Sequence, residues 1–374
     1  MPPLFPGLKI ESAELRLIRL PLITPFVIST GTMTDKHILL LTLRAEGLEG
    51  YAEGVMDPYP DYLEETVAGA RPFLREVILP RITGQRFAHP AELAAILDPW
   101  RGHRMSKAMV EMALWDLWAK ALNLPLAKAL GGVRDSVESG VSLGIADIPT
   151  TLQRAGEAID AGYKRIKLKI KRGHDLAMIA ELRRTFPEAK LTVDANTDYR
   201  LNDLPLFHAM DQFGLDYIEQ PLAFDDIHDH ARLQERLITA LCLDESIRSA
   251  TDARHALVAG ACRVINIKVG RVGGHASARA IHDLCAAFDV PVWCGGMLEA
   301  GIGRAHNIHL STLANFTKPG DVASASRYFH RDLINEPLEV VQGRMAVPAN
   351  GPGIGVTLNR DFVETVTAER EVLR

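Results

Sequence analysis

Five ionisable side chains recur along this 374-residue chain at a near-constant interval: Lys169, Asp194, Glu219, Asp244 and Lys268, separated by 25, 25, 25 and 24 residues. Each stands at or near the end of a short apolar run. Three carboxylates delivered to one place repel one another and call for a cation. Only oxygen ligands are offered, so that cation is a hard divalent ion, Mg²⁺ first and Mn²⁺ next, with positions left open for water or substrate oxygens. Asn196 follows Asp194 with the same strand parity and is placed to orient that ligand. A plain turn-forming role suits it equally well.

The lysines bracket the carboxylates. In RIKLKI (165–170), Lys167 and Lys169 share one face of a strand whose other face is Ile166, Leu168 and Ile170. A lysine acts as a base near neutrality only where its ammonium is disfavoured, and a divalent cation, low-dielectric surroundings and a second ammonium at Lys167 all act on Lys169 in that direction. Lys167 also suits pairing with a carboxylate ligand, and the two roles are compatible. A divalent ion beside two lysines fits removal of a weakly acidic proton α to a carboxylate, through an enediolate held electrostatically.

The elements that must position these groups are short. Strand candidates lie at 141–145, 165–170, 191–195, 216–220, 241–245, 264–269 and 290–296, separated by helix-length segments. This pattern calls for a parallel sheet with helical crossovers. Starts recurring about every 25 residues favour a closed β/α barrel, whose catalytic face lies at the C-terminal ends of its strands. No G-x-G-x-x-G follows the first strand, which weighs against a dinucleotide fold. Before the barrel, 1–130 reads as a smaller α+β domain. It has strand-like runs, a turn-rich PFVISTGTMT, and a helix over 104–123 with Met105, Met109, Met112, Trp115 and Trp118 as its core-facing stripe.

Composition narrows the function. With 47% hydrophobic residues, 24% charged residues and a net charge of −5, the chain is globular and has no general attraction for polyanions. Nucleic acid is not an expected partner. No apolar run approaches a membrane span and the first residues lack a signal-peptide pattern, so the expectation is a cytoplasmic protein with no membrane partner. The four cysteines (242, 262, 285, 294) have no metal-site spacing and read as reduced, buried apolar residues. His228, His230, His306 and His309 belong to no H-E-x-x-H pattern and read as ordinary helix or loop histidines.

In order, KLK, VDAN, IEQP, LDES and NIK resemble the enolase superfamily. The paired lysines resemble its muconate-cycloisomerase-like branch, whereas the mandelate-racemase branch would have a His-Asp dyad in place of Lys268. GYKRIKLKIKRG, LTVDANTDY, YIEQPLAFDD, INIKVGRVGG, PVWCGGMLEAGIGRAHN and NFTKPGD look like the o-succinylbenzoate synthase / N-acylamino acid racemase group, nearly from end to end. The resemblance implies an α/β fold, a (β/α)7β modified TIM barrel (131–329) under an N-terminal α+β capping domain (1–130) completed by residues 330–374. It further implies two cap loops over the site, around Phe26 and around Met56 and Tyr62. Ser142, Gly296, Met297, Leu298 and Tyr328 would line the acyl pocket. Lys169 would take the α-proton in the dehydration that belongs to menaquinone biosynthesis, with Lys268 facing the intermediate as a cation. In racemisation the two lysines would exchange roles. Large homo-oligomers are common in the family.

The alternatives are a dipeptide epimerase or cycloisomerase of the same superfamily, set apart by pocket residues alone. A metal-dependent hydrolase is disfavoured because the first strand, GVSLGI, lacks H-x-H. A non-catalytic scaffold has no use for five costly charges in a barrel mouth.

Overall fold

Alternating apolar runs and helix-length segments do form a curled parallel sheet in the computed structural model, which describes residues 5–28 and 31–374. Among these, seven strands run in chain order across one sheet: Val141–Leu143, Ile166–Lys169, Leu191–Asp194, Ile218–Glu219, Leu241–Leu243, Val264–Ile267 and Val292–Cys294. Every neighbouring pair is parallel, with Lys169 in register with Asp194, and Asp194 with Glu219. Helices such as Ile148–Asp160, Leu176–Thr185 and His275–Ala287 make the crossovers.

The ring is closed by an eighth segment absent from the strand candidates above. The stretch 315–321 bonds on one side to the seventh strand, through Val292 N–H to Asn315 O and Asp321 N–H to Cys294 O. On its other side Gly140 N–H donates to Gly320 O, just ahead of the first strand. Its sequence, NFTKPGD, lacks an apolar run because Pro and Gly interrupt it, yet its backbone completes the ladder. Closure matters for chemistry. Lys169 stands on the second of eight positions and Lys268 directly after the sixth, so they face each other across the mouth, and the arc between them carries Asp194, Glu219 and Asp244.

The smaller domain is an antiparallel sheet ordered Thr367–Leu373, Ser12–Ile28, Gly31–Ala45, Leu48–Gly54. Its first strand in space comes from the C-terminus of the chain. The helix Arg104–Ala121 lies against the strand Leu48–Gly54, with Met105, Met109, Met112 and Trp115 buried and Trp118 half-buried. Gly50 permits that approach, since a Cβ there would stand 2.2 Å from the carbonyl oxygen of Ala113. All four cysteines are buried and free, and His306 and His309 sit in the core. No described helix is long and apolar enough to cross a membrane.

Cap and barrel are joined by carboxylates placed at helix N-termini, where free backbone N–H groups attract negative charge. Glu53, from the cap sheet, accepts from Ala300 N–H at 2.9 Å and Ile302 N–H at 3.0 Å, at the start of helix Gly301–Leu310. Glu111, from the cap helix, accepts from His275 N–H at 2.8 Å and Ala276 N–H at 2.9 Å, at the start of the barrel helix His275–Ala287. Burial pushes the Glu53 carboxyl up to about 8, with Asp332 and Glu299 adding to the rise. Burial likewise takes Glu111 up to about 7, against the backbone donors that favour its charge. A carboxyl raised in the folded state stabilises the fold at low pH, and that contribution is lost as pH climbs through the raised value. The melting temperature should therefore fall by several degrees between about pH 4.5 and about pH 8, and Glu111→Gln should flatten the fall. A profile unaltered by that substitution, followed by circular dichroism, would contradict the assignment.

Candidate active site

Strand alternation turns Lys167 and Lys169 into the barrel while Ile166, Leu168 and Ile170 are buried among the surrounding helices. Asp194, Glu219 and Asp244 end their strands or follow them by one residue, each at most 1% exposed. Charges so buried must be paired. Lys167 lies 3.3 Å from Asp194, 3.2 Å from Glu219 and 2.7 Å from Asp321. Lys169 donates to Asp194 Oδ2 at 2.6 Å and to Asn196 Oδ1 at 2.7 Å. Lys268 donates to Asp244 Oδ2 at 2.8 Å, and Arg271 grips the other oxygen of Asp244.

Asn196 ties three of these groups together. Its backbone N–H donates to Asp194 Oδ1 at 3.0 Å, its amide donates to Glu245 Oε1 at 3.0 Å, and its oxygen receives Lys169. The left-handed backbone at Asn196 (φ 40°) makes this possible, and asparagine tolerates it better than most residues. Gly295 leaves room for a neighbour: a Cβ there would stand 2.4 Å from Oδ1 of Asn266, whose amide donates to Glu219 Oε1 at 2.9 Å.

The electrostatics are those of crowded acids. Burial opposes ionisation of Asp194, but Lys169 and Lys167 hold it below the usual carboxylate range. Burial likewise opposes charge on Asp244, where Arg271 and Lys268 win and hold it far down. Glu219 goes the other way, pushed up to about 7 by burial and by Asp194. Glu245 rises to about 8 through burial and its neighbours Asp244 and Asp194. Lys167 is held well above the ordinary lysine value: burial opposes its charge, and Asp321, Glu219 and Asp194 more than compensate.

The expected arrangement of three carboxylates around one ion is not what the side chains show. Among the described residues, no three His, Cys, Asp or Glu side chains are gathered around a common point. Ammonium groups lie on the carboxylates instead, because like charges this deeply buried separate onto whatever cations are at hand. The donor set nonetheless fits a hard divalent cation. It is all oxygen, and Glu219 Oε2, although 3.2 Å from Lys167, receives no hydrogen bond, nor does Glu245 Oε2.

A cavity opens onto this cluster. Its walls include Lys167, Lys169, Lys268 and Asn196, and also Phe26, Tyr62, Ser142, Gly296, Met297, Leu298 and Tyr328. Met56 is a correction. It is 1% exposed, its sulfur lies beside Gly54, and it does not line the cavity. The chain has turned it into the cap core, and Asp57 takes the wall position instead. Ser29 and Thr30 of the first cap loop lie outside the described residues. Tyr62 reaches from the cap into the cluster, receiving a hydrogen bond from Lys268 and donating to Asp244 Oδ2 at 3.0 Å.

Sequence reading missed Arg165, which pairs with Asp321, and also Arg271, Glu245 and Asp321 itself. Glu245 beside Asp244 and the acid ending NFTKPGD were available signals. The two arginines carried none, since nothing in their neighbourhood reveals which carboxylate they meet.

Similarity to known proteins agrees with this geometry. The model of the enolase C-terminal domain-like family matches residues 150–362, and that of the mandelate racemase / muconate lactonizing enzyme N-terminal domain matches residues 13–131. The chain belongs to the enolase superfamily, whose members use a divalent metal. It is 54% identical over 361 residues to an N-succinylamino acid racemase of Thermus thermophilus, covering 96% of this chain and 98% of the relative. It is 49% identical over 363 residues to an o-succinylbenzoate synthase of Geobacillus kaustophilus, covering 96% of each. A solved enolase-superfamily structure from Listeria innocua superposes with a TM-score of 0.95 at 40% identity, covering 98% of this chain and 99% of that one. Like these relatives, the chain is an enzyme.

The bridge made by Tyr62 gives a direct expectation. Tyr62→Phe removes the hydroxyl between Lys268 and Asp244 while keeping the ring, and kcat should fall about 10-fold or more with a smaller change in KM. Steady-state kinetics returning wild-type kcat would show that the hydroxyl is idle.

Proposed function

We propose that this enzyme abstracts the proton α to a substrate carboxylate and acts as an N-succinylamino acid racemase, an o-succinylbenzoate synthase, or both. The observation that carries the reading is the placement of Lys169 and Lys268 on opposite sides of one cavity, with Asp194, Glu219 and Asp244 between them. A divalent ion held by those three carboxylates, Mg²⁺ in the first instance, would supply positive charge where the substrate carboxylate becomes an enediolate.

With Asp194 engaged as a ligand, its pairing with the Lys169 ammonium would be relieved and Lys169 would be free to act as the base. In racemisation, the neutral amine of one lysine takes the α-proton and the ammonium of the other returns a proton to the opposite face. The reverse reaction exchanges the two. In dehydration of a hydroxy-cyclohexadiene carboxylate, a step in menaquinone biosynthesis, Lys169 takes the α-proton and the resulting ammonium returns it to the departing hydroxyl, which leaves as water, while Lys268 stays cationic. Lys167, bound to three carboxylates, holds the cluster together rather than touching the reacting carbon. The cap, through Phe26 and Tyr62, closes the cavity against water while the enediolate exists. Both reactions share every charged group, and the identity to relatives of both names supports both.

The test is proton exchange. With Mg²⁺ in D₂O, N-succinylamino acids should lose their α-proton signal by NMR, and the cyclohexadiene substrate should be converted to the aromatic product. Lys169→Ala and Lys268→Ala should each lower racemisation at least about 1,000-fold, because a two-base path fails without either partner. Racemisation surviving in either variant would refute the two-base scheme, and absence of both activities in the native enzyme would refute the reading itself.

A further inference from the structure

Lys36 is the least expected charge in the cap. It stands on the strand Gly31–Ala45, in the same inward row as Ile38 and Leu40, and is 1% exposed. An ammonium in such a row is costly to bury unless something there needs it. Its Nζ donates to Asp57 Oδ1 at 2.8 Å and to the carbonyl of Val55 at 3.1 Å. An ammonium has three donors, so among the described residues one is left over. Both Lys36 and Asp57 line the active-site cavity.

The rest of that wall gives the third donor a purpose. Lys169 ends its barrel strand and Lys268 directly follows one, Lys36 lies on the cap, and Phe26, Met33, Met297, Leu298 and Tyr328 supply apolar surface in the same cavity. The cavity's other cations are committed. Lys167 serves three carboxylates, and Arg304, on the barrel side, is anchored by one N–H each to the carbonyl oxygens of Ala323 and Glu299. Among the described cap residues that line the cavity, Lys36 is the one cation, and it has a donor to give.

We propose that Lys36 recognises a second carboxylate at the far end of the substrate, so that the site selects acyl groups ending in a carboxylate, succinyl over acetyl. The inference rests on the N-acylamino acid reading above and deepens it. A purely structural tie between strand and loop would make Lys36 and Asp57 equally necessary. Recognition of an anion makes them opposites, because Asp57 competes with the substrate for the same ammonium.

The experiment compares kcat/KM for racemisation of N-succinyl- and N-acetyl-phenylalanine by the full-length, Mg²⁺-loaded enzyme. Lys36→Met should lower the succinyl-to-acetyl ratio about 30-fold, the effect of losing one charge-assisted hydrogen bond in a closed site. Asp57→Asn should keep or raise the ratio, and Lys36→Arg should retain most of it. A Lys36→Met ratio within about 3-fold of wild type would overturn the proposal, as would Asp57→Asn losing the preference just as Lys36→Met does. Should Lys36→Met fail to fold, Lys36→Gln, which keeps donors toward Val55 and Asp57, carries the same comparison. Calorimetric binding of N-succinylglycine against N-acetylglycine separates this from failure of the activity reading. Even if neither acylamino acid is turned over, the wild type should prefer the dicarboxylate and Lys36→Met should not. Equal affinity in the wild type would overturn the assignment of Lys36 alone.

Discussion

Everything in this structure is arranged around a patch of negative charge held out of water. Asp194, Glu219, Asp244, Glu245 and Asp321 meet at the mouth of the barrel, and Lys167, Lys169, Lys268, Arg165 and Arg271 meet them there. Five acids against five bases is neutral on paper, yet Glu219 and Glu245 are driven upward by burial and by the carboxylates beside them. A divalent ion together with a substrate bearing two carboxylates would leave that balance unchanged. The chemistry proposed for the enzyme and the preference proposed for Lys36 are two expressions of that one balance.

The same logic governs how the cap is held. Glu53 and Glu111 reach from the cap to the N-termini of two barrel helices, one beginning just after the pocket loop 295–300 and the other just after the segment that carries Lys268. Cap position and site geometry are therefore connected through short, directional bonds rather than through apolar contact alone. Tyr62 makes the connection a third time, placing a cap hydroxyl between Lys268 and Asp244. The strand that completes the cap sheet, Thr367–Leu373, follows the barrel in the chain, so the cap is finished only after the barrel segments have been passed.

Much of this was legible from residues alone because barrels convert sequence period into geometry. A charge near the end of each strand, repeated every 25 residues, becomes a ring of charges, and that is how Lys169, Asp194, Glu219, Asp244 and Lys268 announced themselves. What stayed hidden depends on contacts that no period encodes. Arg165 and Arg271 are ordinary basic residues until the fold brings them to Asp321 and Asp244. The segment 315–321 pairs through its backbone and carries no apolar signature. Met56 lies one residue from the wall position that Asp57 occupies, a distinction set by how the chain leaves the cap sheet.

The central claim, that the buried carboxylates form a cation site completed by a divalent ion, is tested most directly by titrating Mn²⁺ into the metal-free enzyme and counting bound ion by electron paramagnetic resonance. One ion per chain should bind, and Asp194→Asn, Glu219→Gln and Asp244→Asn should each weaken it by about 10-fold or more. Mn²⁺ binding that is absent in the wild type, or unaffected by all three substitutions, would contradict the account.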